Sequence, residues 1–130
     1  MQPELIADYR CEVGENPLWH PDEQKLYWTD IPRGHLFRYD PATDEHERCY
    51  DGPPVGGFTL QEDGALALFM ERGAVRTWRD GFIDTIVEDI PRERTSRFND
   101  VIADPKGRVF GGTMSTENQL GRLYRVEPDG

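Results

Sequence analysis

The most informative stretch of the chain is RFNDVIADPKGRVFGGTM, at residues 97–114. Its first segment, 97–100, is mostly polar and is followed by a short apolar segment. A turn is expected at Asp104–Gly107, and the stretch ends in an apolar, glycine-rich run at 109–114. Asp, Pro and Gly favour tight turns, and short apolar runs on either side of such a turn are typical of strands. The stretch therefore predicts a polar loop, a strand, a tight turn and a second strand.

The same order of elements occurs twice upstream, at 18–30 and at 58–70. Leu18 and Phe58 are 40 residues apart, and Phe58 and Val101 are 43 residues apart. Each copy continues with a glycine and an alternating segment, at 34–39, 73–78 and 121–126. The chain is therefore predicted to consist of three copies of one structural repeat.

Each copy is predicted to hold four short strands, and the fourth is expected at 47–50 in the first copy and at 82–88 in the second. Four short strands in a period of about 40 to 45 residues are typical of a β-propeller blade. Glycine and proline recur every few residues, which leaves little room for amphipathic helices. The predicted fold is all-β, a β-propeller, of which this chain covers about three blades. The pair Gly111-Gly112 is expected to allow close packing between strands.

The length of 130 residues would ordinarily indicate one complete domain. A propeller, however, closes with about 4 to 8 blades, and the third copy stops at Gly130, where its fourth strand should begin. We therefore expect residues 1–130 to be the incomplete N-terminal part of one propeller domain. Alone, such a part would leave a sheet edge open and a blade face uncovered.

The net charge of −10 disfavours nucleic acid and anionic membranes as partners, because both carry negative charge. No apolar stretch approaches the roughly 20 residues needed to span a bilayer, and residues 1–10 lack the pattern of a signal peptide. A cytoplasmic location is expected.

Cys11 and Cys49 belong to no CxxC pattern, so packed thiols are predicted rather than a zinc site or a disulfide.

Two segments carry candidate binding residues. Glu15 lies in a Gly-Glu-Asn-Pro turn before the first predicted strand, where it could face the propeller channel and bind a hard cation such as Ca²⁺. The alternative interpretation of Glu15 is an exposed residue in an ordinary surface turn.

Arg97 and Asn99 lie at the corresponding position of the third copy, and they can donate hydrogen bonds to and accept them from a polyhydroxylated ligand. An Arg/Asp surface ion pair is the alternative there. Glu117 alone is typical of a solvent-facing loop.

Three motifs in the same order carry a resemblance to a known family. They are GENPLW at 14–19, LYWTDI at 26–31, and RFND at 97–100 with the DPKGR and GTM segments that follow. Together they resemble the SMP-30/gluconolactonase/LRE-like family, which includes regucalcin, over almost the whole chain. The resemblance implies a six-bladed propeller of about twice this length.

The resemblance also implies roles for individual residues. Glu15 matches the glutamate that ligates the divalent cation, Ca²⁺ or Zn²⁺ in different members. Arg97 and Asn99 match residues that contact the sugar lactone, and Glu117 matches a further substrate contact. The family's other metal ligands, an asparagine and an aspartate that is also the catalytic base, belong to later blades. The catalytic residue is thus expected beyond Gly130, and the 130 residues alone are expected to be inactive.

The implied function is metal-dependent hydrolysis of a sugar lactone to the aldonic acid. The alternative is a non-enzymatic, calcium-binding, regucalcin-like propeller. Residues 27–30 also resemble the YWTD propellers of cell-surface receptors, but the motif is absent at 67–70 and 110–113, which disfavours that class. The identity of the lactone, the native metal and the oligomeric state stay open.

Overall fold

The computed structural model of the chain describes residues 1–128, which form eleven strands in three antiparallel sheets. Blade 1 has the strand order β1-β2-β3-β4, formed by β1 (Gly14–His20), β2 (Lys25–Asp30), β3 (His35–Asp40) and β4 (Glu45–Asp51). Blade 2 has the order β5-β6-β7-β8, formed by β5 (Val55–Leu60), β6 (Leu66–Met70), β7 (Val75–Arg79) and β8 (Phe82–Val87). Blade 3 has the order β11-β10-β9, formed by β9 (Phe98–Ala103), β10 (Val109–Thr113) and β11 (Leu123–Val126).

This arrangement confirms the predicted repeat. Each sheet is a meander in which strands that follow one another in sequence pair side by side, and the predicted fourth strands of the first two copies are present as β4 and β8. Residues 1–128 contain no α-helix, and their one helical turn is a 3₁₀ helix at Pro91–Glu93. The point at which the fourth strand of the third copy was expected to begin, Gly130, lies outside the described residues, as does residue 129.

The segment around Glu15 differs from the prediction. Glu15 lies within β1 and pairs with Thr29, whereas the sequence indicated a turn before the strand. The register shifts between Glu15 and Leu18, and Asn16 between them has a φ of 61°. The turn-like residues therefore form a β-bulge inside the strand, because Asn tolerates the left-handed conformation that lets pairing resume after an extra residue.

The polar start of the 97–114 stretch also differs from the prediction. Residues 98–100 belong to β9 and pair with β10, whereas a loop was expected. Asp100 pairs with Gly112 and Phe98 pairs with Thr113, with an irregularity between the two pairs. Backbone pairing continues through polar residues because one face of an antiparallel sheet can remain solvated.

The core lies between the sheets, in two apolar clusters. The cluster between blades 1 and 2 contains the buried residues Tyr27, Leu36, Tyr50, Val55, Phe58, Leu66, Leu68, Met70, Ala74 and Trp78. The cluster between blades 2 and 3 contains the buried residues Ala67, Phe69, Val75, Phe98 and Val101. In the second cluster the rings of Phe69 and Phe98 meet edge to face with centroids 5.2 Å apart, a favourable aromatic geometry. Each blade thus uses its neighbour to cover an apolar face.

The first strands of the blades, β1, β5 and β9, contact one another in turn. The side-chain amide of Asn16 donates to the Phe58 carbonyl oxygen at 3.1 Å and joins β1 to β5. The buried hydroxyl of Thr29 lies 3.1 Å from the carbonyl oxygens of His35 and Val55, so it contacts both blades. Hydrogen bonds from blade 1 side chains therefore fix the position of β5.

Two glycines permit close approach between strands. A Cβ at Gly111 would lie 2.8 Å from a ring carbon of Phe98, which confirms the predicted tight packing there. The prediction is wrong for Gly112, where a Cβ would meet no atom within 4 Å. Gly56 is tighter still, because its Cβ would lie 1.8 Å from the Phe98 carbonyl oxygen. The backbones of β5 and β9 are therefore in direct contact.

Both cysteines, Cys11 and Cys49, are free thiols.

Within residues 1–128 there is no helix with the length and apolar character that crossing a bilayer requires.

Candidate functional site

Arg97 precedes β9 at the junction of blades 2 and 3. Its backbone bridges to Glu71, which follows β6, and its carbonyl oxygen accepts a hydrogen bond of 2.9 Å from the Met114 amide, which follows β10. Ser96 adds a hydrogen bond of 2.6 Å from its hydroxyl to the Met114 carbonyl oxygen. The backbone of Arg97 is thus held from both sides, so its side chain extends from a fixed backbone position.

The Arg97 side chain is partly buried and bends back toward β9. Its Nη1 donates to the Phe98 carbonyl oxygen at 2.9 Å and to the Asn99 Oδ1 at 3.3 Å. A guanidinium has five N–H donors, so these two bonds leave other donors for a ligand. Because Asn99 uses its Oδ1 to accept from Arg97, its Nδ2 is the group that remains to donate. The pair therefore presents several donors side by side.

Glu15 contributes negative charge to the same region. Burial lowers the pKa of Arg97, and the nearby Glu15 carboxylate acts in the opposite direction. Arg97 keeps its positive charge, because a guanidinium titrates far above neutral pH. The side chain of Glu15 is exposed and forms no hydrogen bond or ion pair within residues 1–128, so its carboxylate oxygens are free for a cation.

The described residues supply only part of the ligand set that a divalent cation requires. No group of three or more His, Cys, Asp or Glu side chains able to hold a metal occurs among the described residues. Ca²⁺ takes six to eight oxygen ligands, and catalytic Zn²⁺ usually takes three protein ligands. The exposed carboxylate of Glu15 fits the chemistry of one such ligand, and the others would have to come from elsewhere.

Glu117 is not brought together with the other three candidates. It is exposed in the connection between β10 and β11, and it makes no hydrogen bond or ion pair to Glu15, Arg97 or Asn99 in the part of the chain that the structure describes. The connection is shaped by a hydrogen bond of 2.8 Å from the Thr116 amide to the Gln119 carbonyl oxygen. It begins beside Met114, and so next to the backbone of Arg97.

Sequence reasoning missed two residues near this site. Asn16 lies at the bulge beside Glu15 and joins β1 to β5, and the position of this Asn between Gly14 and Pro17 was the available signal. Glu93 is fully buried and accepts hydrogen bonds from Arg122 and Tyr124, which follow the connection that contains Glu117. Its neighbours in sequence, Arg92 and Arg94, are basic, and no local pattern indicates that the carboxylate between them would be buried.

The three sheets, with their first strands in contact, have the architecture of β-propeller blades, and Glu15, Arg97 and Asn99 lie on or beside those first strands. The model of the SMP-30/gluconolactonase/LRE-like region matches residues 13–130. The chain belongs to this family, which confirms the resemblance found in the motifs.

Three known proteins illustrate the relationship. Pentonolactonase XacC of Haloferax volcanii is 46% identical over 125 residues, which cover 96% of this chain and 42% of that protein. Regucalcin of Xenopus laevis is 29% identical over 134 residues, which cover 97% of this chain and 45% of regucalcin. The solved structure of a gluconolactonase from Xanthomonas campestris superposes with a TM-score of 0.75 at 18% identity, covering 92% of this chain and 46% of that one. The chain therefore spans a little under half the length of these proteins.

Proposed function

We propose that the chain is the N-terminal part of a propeller enzyme that hydrolyses a sugar lactone to the aldonic acid with the help of one divalent cation. The proposal rests on the grouping of Arg97, Asn99 and the Glu15 charge on or beside the first strands of blades 1 and 3, β1 and β9. Membership of a family that includes lactonases supports it. The similarity to a pentonolactonase favours an aldonolactone as the substrate.

Each residue has a role that its chemistry allows. The remaining N–H donors of Arg97 bind the oxygens of the lactone and favour negative charge developing on them. The Asn99 amide donates to a ring hydroxyl and, through its Oδ1, keeps Arg97 in place. Glu15 supplies one oxygen ligand to Ca²⁺ or Zn²⁺, and Glu117 is a further substrate contact. When bound, the cation would polarise the lactone carbonyl and lower the pKa of a water molecule.

The catalytic base remains a prediction for the part of the protein beyond this chain, as does the inactivity of residues 1–130 alone. The expected cytoplasmic location also stays a prediction. Since Glu15 is the one metal ligand that we propose among the described residues, hydrolysis is a property that we propose for the full-length protein.

A second candidate is a calcium-binding propeller without lactonase activity. It is favoured by the similarity to regucalcin along 97% of this chain and by the exposed Glu15 carboxylate, which could serve binding alone. Both functions predict cation binding, so only turnover distinguishes them. A panel of aldonolactones, each assayed with Ca²⁺, Zn²⁺ and Mn²⁺ and after treatment with EDTA, would separate them.

The decisive experiment is Glu15→Gln in the full-length protein, with acid release from the lactone followed by pH-stat. Loss of an outer-shell partner of a metal site costs about 10- to 100-fold in activity, so loss of a ligand should lower kcat/KM by more than about 100-fold. Glu12→Gln is the matched control, because Glu12 is a nearby exposed acid that pairs with Arg33. Unchanged hydrolysis by Glu15→Gln would show that Glu15 is not a metal ligand.

A further inference from the structure

Glu93, in the 3₁₀ helix, is a fully buried carboxylate with several partners. Its Oε1 accepts a hydrogen bond of 2.7 Å from the Tyr124 hydroxyl and one of 3.1 Å from Arg122 Nη1. Its Oε2 lies 3.4 Å from Gln119 Nε2, which also donates to the Arg92 carbonyl oxygen at 2.7 Å. A carboxylate buried to this extent requires such charged and polar donors.

The partners of Glu93 all lie at one end of a single connection. We call residues 115–121, between β10 and β11, the Glu117 loop. Gln119 is within this loop, whereas Arg122 and Tyr124 follow it directly. Arg122, after the loop, and Thr113, before it, exchange backbone and side-chain hydrogen bonds of 2.9 to 3.3 Å that close the base of the loop. The side chains of Glu117 and Leu120 are exposed, so core packing contributes little to their placement.

Glu93 is also tied to the segment that carries Arg97. Its carbonyl oxygen accepts a hydrogen bond of 2.9 Å from the Ser96 amide, and its own amide donates to the Ile90 carbonyl oxygen at 2.7 Å. The Ser96 hydroxyl in turn donates to the carbonyl oxygen of Met114, which directly precedes the Glu117 loop. Glu93 thus links two segments: its carboxylate binds the residues that follow the Glu117 loop, and its backbone is bonded within the segment that precedes Arg97.

We propose that Glu93 is a positioning residue that anchors the Glu117 loop to the segment preceding Arg97. The assignment of Glu117 and Arg97 to the substrate rests on the proposed function, whereas the anchoring itself does not. In this role Glu93 fixes the distance between two substrate-binding side chains and never touches the substrate. Burial, together with the hydrogen bond to Glu93, raises the pKa of the Tyr124 phenol, in agreement with a carboxylate as its acceptor.

Two variants of the full-length protein test the anchor. Glu93→Gln keeps the shape of the side chain and removes its charge, whereas Tyr124→Phe keeps the ring, which packs 6.3 Å from Phe98, and removes one donor. Glu88→Gln is the control, because Glu88 is an exposed acid of the same region. Thermal unfolding of each variant shows whether the domain remains folded.

The first readout is the rate of cleavage after Glu117 by the glutamyl endopeptidase Glu-C, followed by mass spectrometry. Cleavage of a native loop follows the population of its open form. Loss of charge-assisted hydrogen bonds should therefore make cleavage after Glu117 about tenfold faster in Glu93→Gln, with a smaller increase in Tyr124→Phe. Glu88→Gln should match the parent.

The second readout is the kinetics of lactone hydrolysis. In Glu93→Gln, KM should rise about three- to tenfold with a smaller change in kcat, because a loosened loop weakens substrate binding. If the parent hydrolyses no lactone, the proposed function fails, and the cleavage assay still decides whether Glu93 anchors the loop.

The anchor is refuted if cleavage after Glu117 is unchanged in both variants, or if it rises equally after glutamates throughout the chain. If Glu93→Gln does not fold, Tyr124→Phe alone decides by the same criteria. An unchanged KM in a variant whose loop is cleaved faster would refute the link to the substrate.

Discussion

Replacement of Gly56 by alanine should separate blades 2 and 3. Gly56 is in β5 and faces the backbone of Phe98 in β9, which directly follows Arg97. The added Cβ would lie 1.8 Å from the Phe98 carbonyl oxygen and 2.4 Å from its carbonyl carbon. Both are backbone atoms, so no change of side-chain rotamer can relieve the clash.

The expected cost follows from the displacement that the new Cβ requires. Ordinary van der Waals contact begins at 3.4 Å, so the two strands would have to move apart by about 1.6 Å. Overpacking a core typically costs about 1 to 3 kcal/mol. Because two strand backbones must move here, we expect the free energy of unfolding to fall by at least about 3 kcal/mol.

The assay is urea unfolding of the full-length parent and two variants, followed by tryptophan fluorescence. With a slope of about 2 kcal/mol per M, a loss of about 3 kcal/mol lowers the urea midpoint by about 1.5 M. Gly112→Ala is the matched control, because a Cβ at this strand glycine meets no atom within 4 Å. Its unfolding free energy should change by less than about 1 kcal/mol. A Gly56→Ala variant as stable as the parent would refute the backbone contact between the blades.

Three further outcomes are expected. Burial raises the pKa of Cys49 to about 12, so iodoacetamide at pH 8 should alkylate Cys11 well before Cys49, as mapped by mass spectrometry; equal rates would contradict this. Hydrogen bonds from Arg108 lower the pKa of Asp104, so this carboxylate stabilises the fold above its unfolded pKa, and that contribution disappears as the pH falls through its folded pKa. Asp104→Asn should therefore have a lower urea midpoint than the parent at pH 7, and the difference should shrink as the pH is lowered below the ordinary pKa of an aspartate; a difference that does not change with pH would contradict this. Thr29→Val should cost about 1 to 2 kcal/mol in urea unfolding, because the carbonyl oxygens of His35 and Val55 lose the one hydroxyl donor that lies within reach of both; an unchanged midpoint would show that the hydroxyl contributes nothing.

The sequence predicted the strands well because each blade is built from local signals. Turns at Asp104–Gly107 and Asp80-Gly81 separate short apolar runs, and Gly81 and Gly107 adopt the positive φ values that such turns demand. Pairing between consecutive strands then follows without any information from distant parts of the chain. The same signals recur at a spacing near 40 residues, which identified the propeller repeat.

The site was predicted less completely because its geometry depends on distant contacts. The spacing of residues 14–17 gave no sign that Glu15 would pair within β1, since the bulge at Asn16 is stabilised by Phe58, 42 residues away. Glu93 has hydrogen-bond partners 26, 29 and 31 residues further along the chain. Only the packing of blade 3 brings those residues together, and no local pattern encodes that packing.

The meander order of the strands bears on how the protein folds. Within a blade every strand pairs with its neighbour in sequence, so each blade can form from short hairpins with little loss of chain entropy. The contact between β5 and β9 joins residues about 40 positions apart and should form later. Arg97 and Asn99 would therefore reach their places only when two finished blades dock. Amide hydrogen exchange should then show weaker protection in β9 than in β6, which is buried along its whole length.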